Sequence, residues 1–540
     1  MSGQAVPIVS LGPAVRESWV PAMAIALGQA LMSFNAASLL VAIGGIIETF
    51  NVQPTTVATA IAMYSLSVAG LVMLGAKLNQ RFGALRVFRI AVLTFGSAMV
   101  LMTFSPTATV MIAAQGLAGA AGAVLIPSLV ALAANNYLGP RRATALGAIG
   151  AARAGAAVAA FLIGGVLGTF IGWRPAFGIL IGLAAIVFVL SLRLKPDHSR
   201  PDVRIDVVGV VLAATAIILI SLGFDNLSRW GLGLARHGTP FDILGLSPAP
   251  GMIVIGVVIG HIFLVWSRRR QAENKTPLLA AQVIASPAQR SAVFAAFAIV
   301  TLKAGLNFSV PLYIQIVQGR TPLDTAIAMT PFNLSVTVSA LLIVRFYDRM
   351  SPRQIARVAF ALAATALIWL ALVVHNDWST YSLLIGLIIF GLSHGSLMTL
   401  LLNVLVTSSP SGLAGDVGSL CGTTNNLAVA VGTALAGVLT VSILSVIITG
   451  NFAESQLIPL GLKMQAGLDD INFVSDARLL RGLERTKATA AQVEEVLRIN
   501  SEARLSALKI TYLVMAGGAL LAILPAGRLP TKARGNVRVA

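Results

Sequence analysis

The chain has 540 residues, of which 57% are hydrophobic and only 11% are charged, and its mean hydropathy is +0.87. This composition excludes a soluble globular domain, in which about a quarter of the residues carry charge. The formal net charge is +18, and Cys421 is the only cysteine, which excludes disulfides and cysteine-based metal clusters.

Fourteen apolar runs of roughly 20 residues follow one another along the chain, and a helix of that length crosses a hydrocarbon core of about 30 Å. Their predicted spans are 20–47, 55–76, 90–104, 108–134, 142–171, 174–192, 206–224, 251–267, 291–313, 323–344, 357–374, 381–405, 417–449 and 508–526. The aromatic content is 6%, and the alternating pattern of an outer-membrane β-barrel is absent. We therefore predict an all-α, multi-pass membrane protein, because a helix satisfies its own backbone groups in lipid.

Lysine and arginine are concentrated in alternate connections between the spans. These basic segments are 77–89, 139–143, 193–200, 267–275, 345–357 and the tail 527–540. Because short basic loops stay on the cytoplasmic side, we predict that both termini, 1–19 and 527–540, are cytoplasmic. We predict a bacterial inner-membrane location and attribute the net charge to topology, not to nucleic-acid binding.

Two connections on the opposite side are long. Residues 225–250 are rich in Gly and Pro, and residues 450–507 carry charges at helical spacing. The second segment has two interpretations, a plain connector or a docking surface for a periplasmic accessory protein.

Two basic residues lie near the middle of predicted spans. Arg153 follows Arg142 by eleven positions, about 16 Å along a helix, and Lys303 follows Arg290 by thirteen, about 20 Å. No Asp or Glu occurs between Glu48 and Asp197. A buried cation must face a cavity, helix carbonyls or a negative partner, and we expect the substrate to be that partner. For Arg153 the alternative is hydrogen bonding to carbonyls or polar side chains at a packed interface.

Several segments resemble the fourteen-helix drug:proton antiporters of the EmrB/QacA type in the major facilitator superfamily. They are "LYIQIVQGRTPLDTAIAMTPFNL" (312–334), "AKLNQRFGALRVF" (76–88), "PRRATALGAIGA" (140–151), "GGVLGTFIGWRPAF" (164–177) and "GSLCGTTNNLAVAVGTALAGVL" (418–439). The resemblance implies two six-helix bundles that rock around a midplane site, with the first, fourth, ninth and twelfth spans lining the cavity. The implied domains are an N-terminal bundle (20–192), two extra helices (206–267) and a C-terminal bundle (291–526) that carries the periplasmic loop 450–507.

The chain departs from the family pattern where the family carries charge. Asn35 and Gln80 stand where the family has Asp, Gln115 stands where it has Arg, and Ala160 and Phe161 replace a Gly-Pro pair. Proton-driven export of cations normally needs a buried carboxylate for which proton and substrate compete. The sequence offers no such carboxylate at mid-membrane, so the interior charges favour a neutral or anionic amphiphile, whereas the family favours cationic drugs.

Six residues are candidates for substrate binding or gating: Asn35, Gln115, Arg153, Lys303, Asn307 and His394. Asn307 shares the helix face of Lys303 at i+4. The two amides at 35 and 115 have alternative roles, cavity lining or hydrogen bonding between helices. His394 is a proton carrier or a structural residue. Seven further residues form predicted conformational-switch loops in the two halves: Lys77, Gln80, Arg81, Gly83, Arg86, Asp348 and Arg349.

The sequence contains no Gly-rich phosphate loop, no His/Glu metal spacing and no Ser/His/Asp set on one side of the membrane. We therefore expect neither an enzyme nor a cofactor or metal. The predicted function is secondary active export of amphiphilic small molecules or drugs. The alternatives are a facilitator or importer of an anionic metabolite without carboxylate-based proton coupling, and a transport-dead membrane sensor or scaffold.

Overall fold

The computed structural model describes most of the chain, and its regular elements within the described residues are helical. The described residues are 19–137, 139–194, 205–231, 233–235, 239, 241–242, 244–273, 275–347, 349–375, 380–409, 414–455, 479–480 and 488–531. Within them, fourteen helices are long and apolar enough to cross a membrane. The predicted number of spans and the all-α fold class are confirmed.

The helices are numbered in chain order. They are α1 (Val20–Val41), α2 (Ile43–Phe50), α3 (Pro54–Phe82), α4 (Ala84–Thr103), α5 (Ala108–Asn136), α6 (Gly139–Phe170), α7 (Arg174–Ser191), α8 (Val207–Trp230), α9 (Pro248–Ala272), α10 (Pro287–Leu312), α11 (Pro322–Leu342), α12 (Pro352–Val373), α13 (Thr380–Ser408), α14 (Ala414–Glu454), α15 (Ala490–Leu521) and α16 (Ile523–Ala526). A π-helical turn, Tyr313–Val317, extends α10, and short 3₁₀ turns lie at Ala281–Ile284 and Ile343–Phe346.

Most helices begin or end within six residues of their predicted bounds, and two spans differ in a further way. The first breaks at Ala42 into α1 and α2, a feature that hydropathy does not reveal. The last begins at Ala490 instead of 508, because a capping box between Thr489 and Gln492 starts the helix in polar sequence that continues into the apolar span.

Each half of the molecule is held together by helices that approach closely at glycines. In the N-terminal half, a Cβ on Gly119 of α5 would meet the backbone carbonyl of Tyr64 on α3. In the C-terminal half, a Cβ on Gly391 of α13 would lie 2.7 Å from the carbonyl oxygen of Phe332 on α11. A close contact at a glycine therefore joins α3 to α5 and α11 to α13, since only small residues let membrane helices approach so closely.

The two halves meet along two helix pairs, α3 with α14 and α6 with α11. The first pair is in contact along much of its length, from Ala58 beside Gly437 to Val72 beside Gly422. We call the end of the molecule at which Gly83 links α3 to α4 the basic end. The opposite end, at which Trp173 lies between α6 and α7, is the Trp173 end.

Helices α8 and α9 form an antiparallel pair that packs beside α3 and α14. Asp206 anchors the pair at the basic end: it caps α8, accepts hydrogen bonds from the Trp266 indole and lies 3.7 Å from Arg270. Toward the Trp173 end, the Thr59 hydroxyl of α3 donates to the carboxylate of Asp225 on α8. Both carboxylates therefore fix the position of this helix pair.

Candidate functional site

Four polar side chains from four helices converge between the two halves. They are Tyr64 of α3, Arg153 of α6, Lys303 of α10 and His394 of α13. Arg153 interacts electrostatically with both Tyr64 and Lys303, and His394 interacts with both cations. The arginine comes from the N-terminal half and the lysine from the C-terminal half, so the fold brings the two predicted interior cations together.

Arg153 lies in the middle of α6, about 21 Å from the start of the helix at 1.5 Å per residue. Its side chain is exposed, although the groups that it reaches belong to α3, α10 and α13 in the interior. The exposure therefore indicates a cavity between the halves. Among the described residues Arg153 has no hydrogen-bond partner, so the alternative of a packed, carbonyl-bonded arginine is not seen in this conformation.

Lys303 and Asn307 are half-buried and lie one turn apart on α10. The Asn307 amide oxygen and the Thr301 hydroxyl are buried without a hydrogen-bond partner among the described residues. Such groups cost free energy unless water or a ligand satisfies them. The face of α10 that carries Lys303 and Asn307 therefore presents both a charge and an unsatisfied hydrogen-bond acceptor, whereas Thr301 lies on nearly the opposite side of the helix.

His394 is buried, with 5% of its surface exposed, and its Nδ1 has no partner within the described part of the chain. The neighbouring charges are Lys303 and Arg153. A positive charge on the imidazole would repel both, so the neutral ring is the form that this environment favours. In that form the ring offers one donor and one acceptor.

Asn35 and Gln115 form a reciprocal amide pair between α1 and α5. Asn35 donates to the Gln115 oxygen at 3.0 Å, and Gln115 donates back at 3.2 Å. Both side chains are fully buried. Of the two predicted roles, the structure shows the hydrogen bond between helices, and in this conformation neither amide is exposed to the cavity.

The Trp173 end of the cavity is closed by hydrogen bonds between the halves. The Gln315 side chain accepts a hydrogen bond from the Gly44 N–H (2.8 Å) and donates to the Val41 carbonyl (3.0 Å). Nearby, the Leu323 N–H of α11 donates to the Thr169 hydroxyl of α6 (3.3 Å). We refer to these contacts of Gln315 and Leu323 as the gate.

The helix break at Ala42 explains why backbone groups of α1 and α2 are available for hydrogen bonds with Gln315. Val41 ends α1 and Gly44 lies in the first turn of α2, so the carbonyl and the N–H have no intrahelical partners. The glutamine satisfies both groups from the other half of the molecule. Its amide also donates to Thr325 at 3.0 Å, which fixes the orientation of the side chain.

Toward the basic end the halves separate along α5 and α13. Helix α5 packs against α1, α3, α4 and α6 of its own half, and α13 packs against α10, α11, α12 and α14 of its own half. The cavity is therefore closed at the Trp173 end and accessible toward the basic end.

The predicted switch loop of the N-terminal half surrounds the turn from α3 to α4. Gly83 has a φ of +87°, which a residue with a side chain rarely adopts, and its N–H caps α3 through Asn79. Lys77 interacts electrostatically with Asp416 at the start of α14, across the halves. The remaining predicted residues here are exposed or half-buried at the surface: Gln80, Arg81 and Arg86.

In the C-terminal half, Asp348 lies outside the described residues. Arg349 lines a cavity of about 520 Å³ at the basic end, together with Arg353 and Arg357. Tyr347 also lines it, and burial raises the pKa of its hydroxyl to about 12, so the phenol is neutral. This cavity is separate from the one between the halves.

Two residues of the site were not predicted from the sequence. Tyr64 lies in an apolar span, where a single tyrosine gives no functional signal. Gln315 falls within the segment 312–334 that carries the family resemblance, but its partners are 271 and 274 positions away. In the described part of the chain, no three His, Cys, Asp or Glu side chains are grouped as they would be to hold a metal ion.

The family model of the Major Facilitator Superfamily matches residues 25–433. The chain belongs to this superfamily. It is therefore a multi-pass membrane transporter whose substrates are small molecules. The structural comparison agrees with this assignment: the facilitator superimposes on a bacterial homologue of the human lysosomal transporter Spinster with a TM-score of 0.60, at 14% identity, covering 95% of this chain and 98% of the other.

Curated relatives of this facilitator are similar over most of their length. The multidrug efflux pump LfrA of Mycolicibacterium smegmatis is 25% identical over 426 residues, which cover 78% of this chain and 81% of LfrA. The puromycin resistance protein pur8 of Streptomyces alboniger is 27% identical over 408 residues, covering 73% and 76% of the two chains. The family resemblance seen in the sequence is thus confirmed.

Proposed function

We propose that this facilitator exports amphiphilic small molecules from the cytoplasm by alternating access, and that its basic end faces the cytoplasm of a bacterial cell. The observation that carries this proposal is the asymmetric cavity, closed by the gate at the Trp173 end and accessible toward the basic end. An exporter in this state can take up substrate from the cytoplasmic side before it releases it on the other.

The orientation rests on the distribution of positive charge. Lys77, Arg81 and Arg86 lie around the turn from α3 to α4, and the three arginines that line the 520 Å³ cavity lie at the same end. Short basic connections are retained in the cytoplasm. With this orientation the described conformation is inward-facing, and Trp19 and Thr531, at the two ends of the described chain, lie on the cytoplasmic side.

The direction of transport and the nature of the substrate rest on the relatives. LfrA is named a multidrug efflux pump and pur8 a puromycin resistance protein. The cavity suits an amphiphile, because Tyr64 of the predominantly apolar α3 lies beside Arg153. An accessory protein that docks on the segment between α14 and α15 remains a prediction, since most of that segment lies outside the described residues.

One observation favours a second candidate function. The electrostatic surroundings of Arg153, Lys303 and His394 include no carboxylate from the described residues, so the usual proton-coupling group of an antiporter is not among them. A facilitator or importer of an anionic metabolite would need no such group. Measuring the direction of net transport separates the two functions, and a sensor or scaffold would transport nothing.

The test uses everted membrane vesicles and two fluorescent xanthene probes, the anion fluorescein and the cation rhodamine 123. In everted vesicles the cytoplasmic face is outside, so export appears as uptake. The control is a reversible lock of the gate: Thr169→Cys and Leu323→Cys, in a Cys421→Ser background, place two thiols on opposite halves for oxidation to join, because the Leu323 N–H lies 3.3 Å from the Thr169 hydroxyl. Uptake of either probe that stops on oxidation and returns on reduction supports export. Uptake that continues after oxidation contradicts the proposal. So does a lack of uptake of both probes.

A further inference from the structure

We propose that Arg153 and Lys303 together bind the anionic group of the substrate, and that the membrane potential, not a proton gradient, drives export of this anion. The inference rests on the proposed export function and specifies its substrate class and energy source. The fold places two like charges, Arg153 and Lys303, near each other in a cavity.

Two cations that interact across the cavity repel each other. In the described part of the chain, the only charged group that influences Lys303 is Arg153, and none of the groups that influence Arg153 is a carboxylate. Water in the open cavity screens this repulsion. A bound anion would replace it by two attractions, and these would strengthen as the cavity closes and its effective dielectric constant falls.

The hydrogen-bonding groups of the cavity match an anion. Arg153 and Lys303 are donors only, and a guanidinium binds carboxylate, sulfonate or phosphate oxygens with two parallel bonds. The unpartnered Nδ1 of His394 offers a further donor when the ring is protonated at that nitrogen, whereas the unpartnered amide oxygen of Asn307 is an acceptor and would face a different part of the substrate. Because one cation belongs to each half, the anion would also bridge the halves, which couples binding to closure of the cavity.

The remainder of the cavity fits the apolar part of such a substrate. Tyr64, which interacts with Arg153, packs with Met32 against Gly122 of α5, and both side chains are buried. The wall of α3 beside Arg153 is therefore predominantly apolar. The inferred substrates are therefore aromatic or lipophilic molecules with one anionic group.

The charge of the substrate determines what can drive its export. With the cytoplasm negative, an anion that leaves the cell moves down the electrical gradient, whereas a cation moves against it. Export of an anion therefore needs no proton antiport. Asp206 and Asp225 bind Trp266 and Thr59 of neighbouring helices and do not enter the surroundings of the two cations.

The first experiment measures fluorescein and rhodamine 123 uptake by everted vesicles at neutral pH. Valinomycin with excess external potassium makes the lumen positive, and in a separate assay with equal potassium on both sides nigericin abolishes the pH gradient. We expect the lumen-positive potential to raise the initial rate of fluorescein uptake at least about twofold, and nigericin to leave that rate unchanged. Fluorescein uptake that requires an acidic lumen and ignores the potential would overturn the inference while leaving export itself intact.

The second experiment identifies the binding groups. Arg153→Gln and Lys303→Gln should each weaken fluorescein binding to purified protein about 10- to 100-fold, while Arg153→Lys, which keeps the charge but loses the two parallel bonds, should weaken it less than Arg153→Gln does. Arg268→Gln removes one positive charge from the exposed end of α9 and serves as the matched control. Unchanged fluorescein affinity in both cavity variants, with folding verified by thermal unfolding, would overturn the site. Loss of rhodamine 123 binding to the same extent would show a structural role and would also overturn it.

Discussion

Replacing Gln315 by leucine should open the Trp173 end of this facilitator. The substitution introduces an apolar side chain of similar size and removes the amide that joins the two halves. In the closed state it leaves the Gly44 N–H and the Val41 carbonyl buried without partners, whereas in an open state water would reach both groups. The perturbation therefore acts on the difference between the two conformations, which is the only quantity that shifts their populations.

The magnitude follows from the two hydrogen bonds that cross the halves, at 2.8 and 3.0 Å. A typical buried hydrogen bond contributes about 0.5–1.5 kcal/mol net, so the pair stabilises the closed gate by about 1–3 kcal/mol. A free-energy change of that size alters the ratio of closed to open molecules by about 5- to 150-fold. The hydrogen bond from Gln315 to Thr325 lies within the C-terminal half, so it does not contribute to the free-energy difference between the closed and open conformations.

The assay measures distances between spin labels at the Trp173 end. Labels at Glu48 and Tyr381, both exposed and in opposite halves, report the separation directly after Cys421 is replaced by serine. The matched control is Gln29→Leu, which loses a hydrogen bond to Ser33 within α1 and none between halves. We expect a population with a longer distance in Gln315→Leu and not in the control. Identical distance distributions in the wild type and Gln315→Leu would refute the role of this residue, as would an equal shift in the control.

Three further predictions use the same structure. Gly44→Ala should open the same end, because its Cβ would lie 2.5 Å from the Gln315 amide oxygen, whereas Gly150→Ala, with open space around it, should leave the label distances unchanged. Asn35→Leu should lower the free energy of unfolding by about 1–3 kcal/mol, because it leaves the Gln115 amide buried and unpaired. In the double variant Asn35→Leu/Gln115→Leu, the loss of unfolding free energy, measured by thermal unfolding, should be smaller than the sum of the two single losses. His394→Gln should keep the pH dependence of vesicle uptake, because a ring held neutral by two adjacent cations carries no proton through the cycle; a profile flattened between about pH 5.5 and 7.5 would instead identify His394 as a proton carrier.

The sequence by itself determined the membrane class, the number of spans and the superfamily. These properties depend on local hydrophobicity and on short motifs, because a bilayer requires each spanning segment to be apolar and helical regardless of its neighbours. The depth of Arg153 and Lys303 within their helices could also be calculated from the sequence, since the rise per residue of a helix is constant.

Only the tertiary structure decided which of these residues meet. Asn35 and Gln115 are 80 positions apart, and their pairing removes both amides from the cavity. Gln315 gains its role from a helix break at Ala42 that hydropathy does not register. The proximity of the two interior cations depends on how the halves pack, and packing between helices is set by shape and by close approach at glycines, which no single segment encodes.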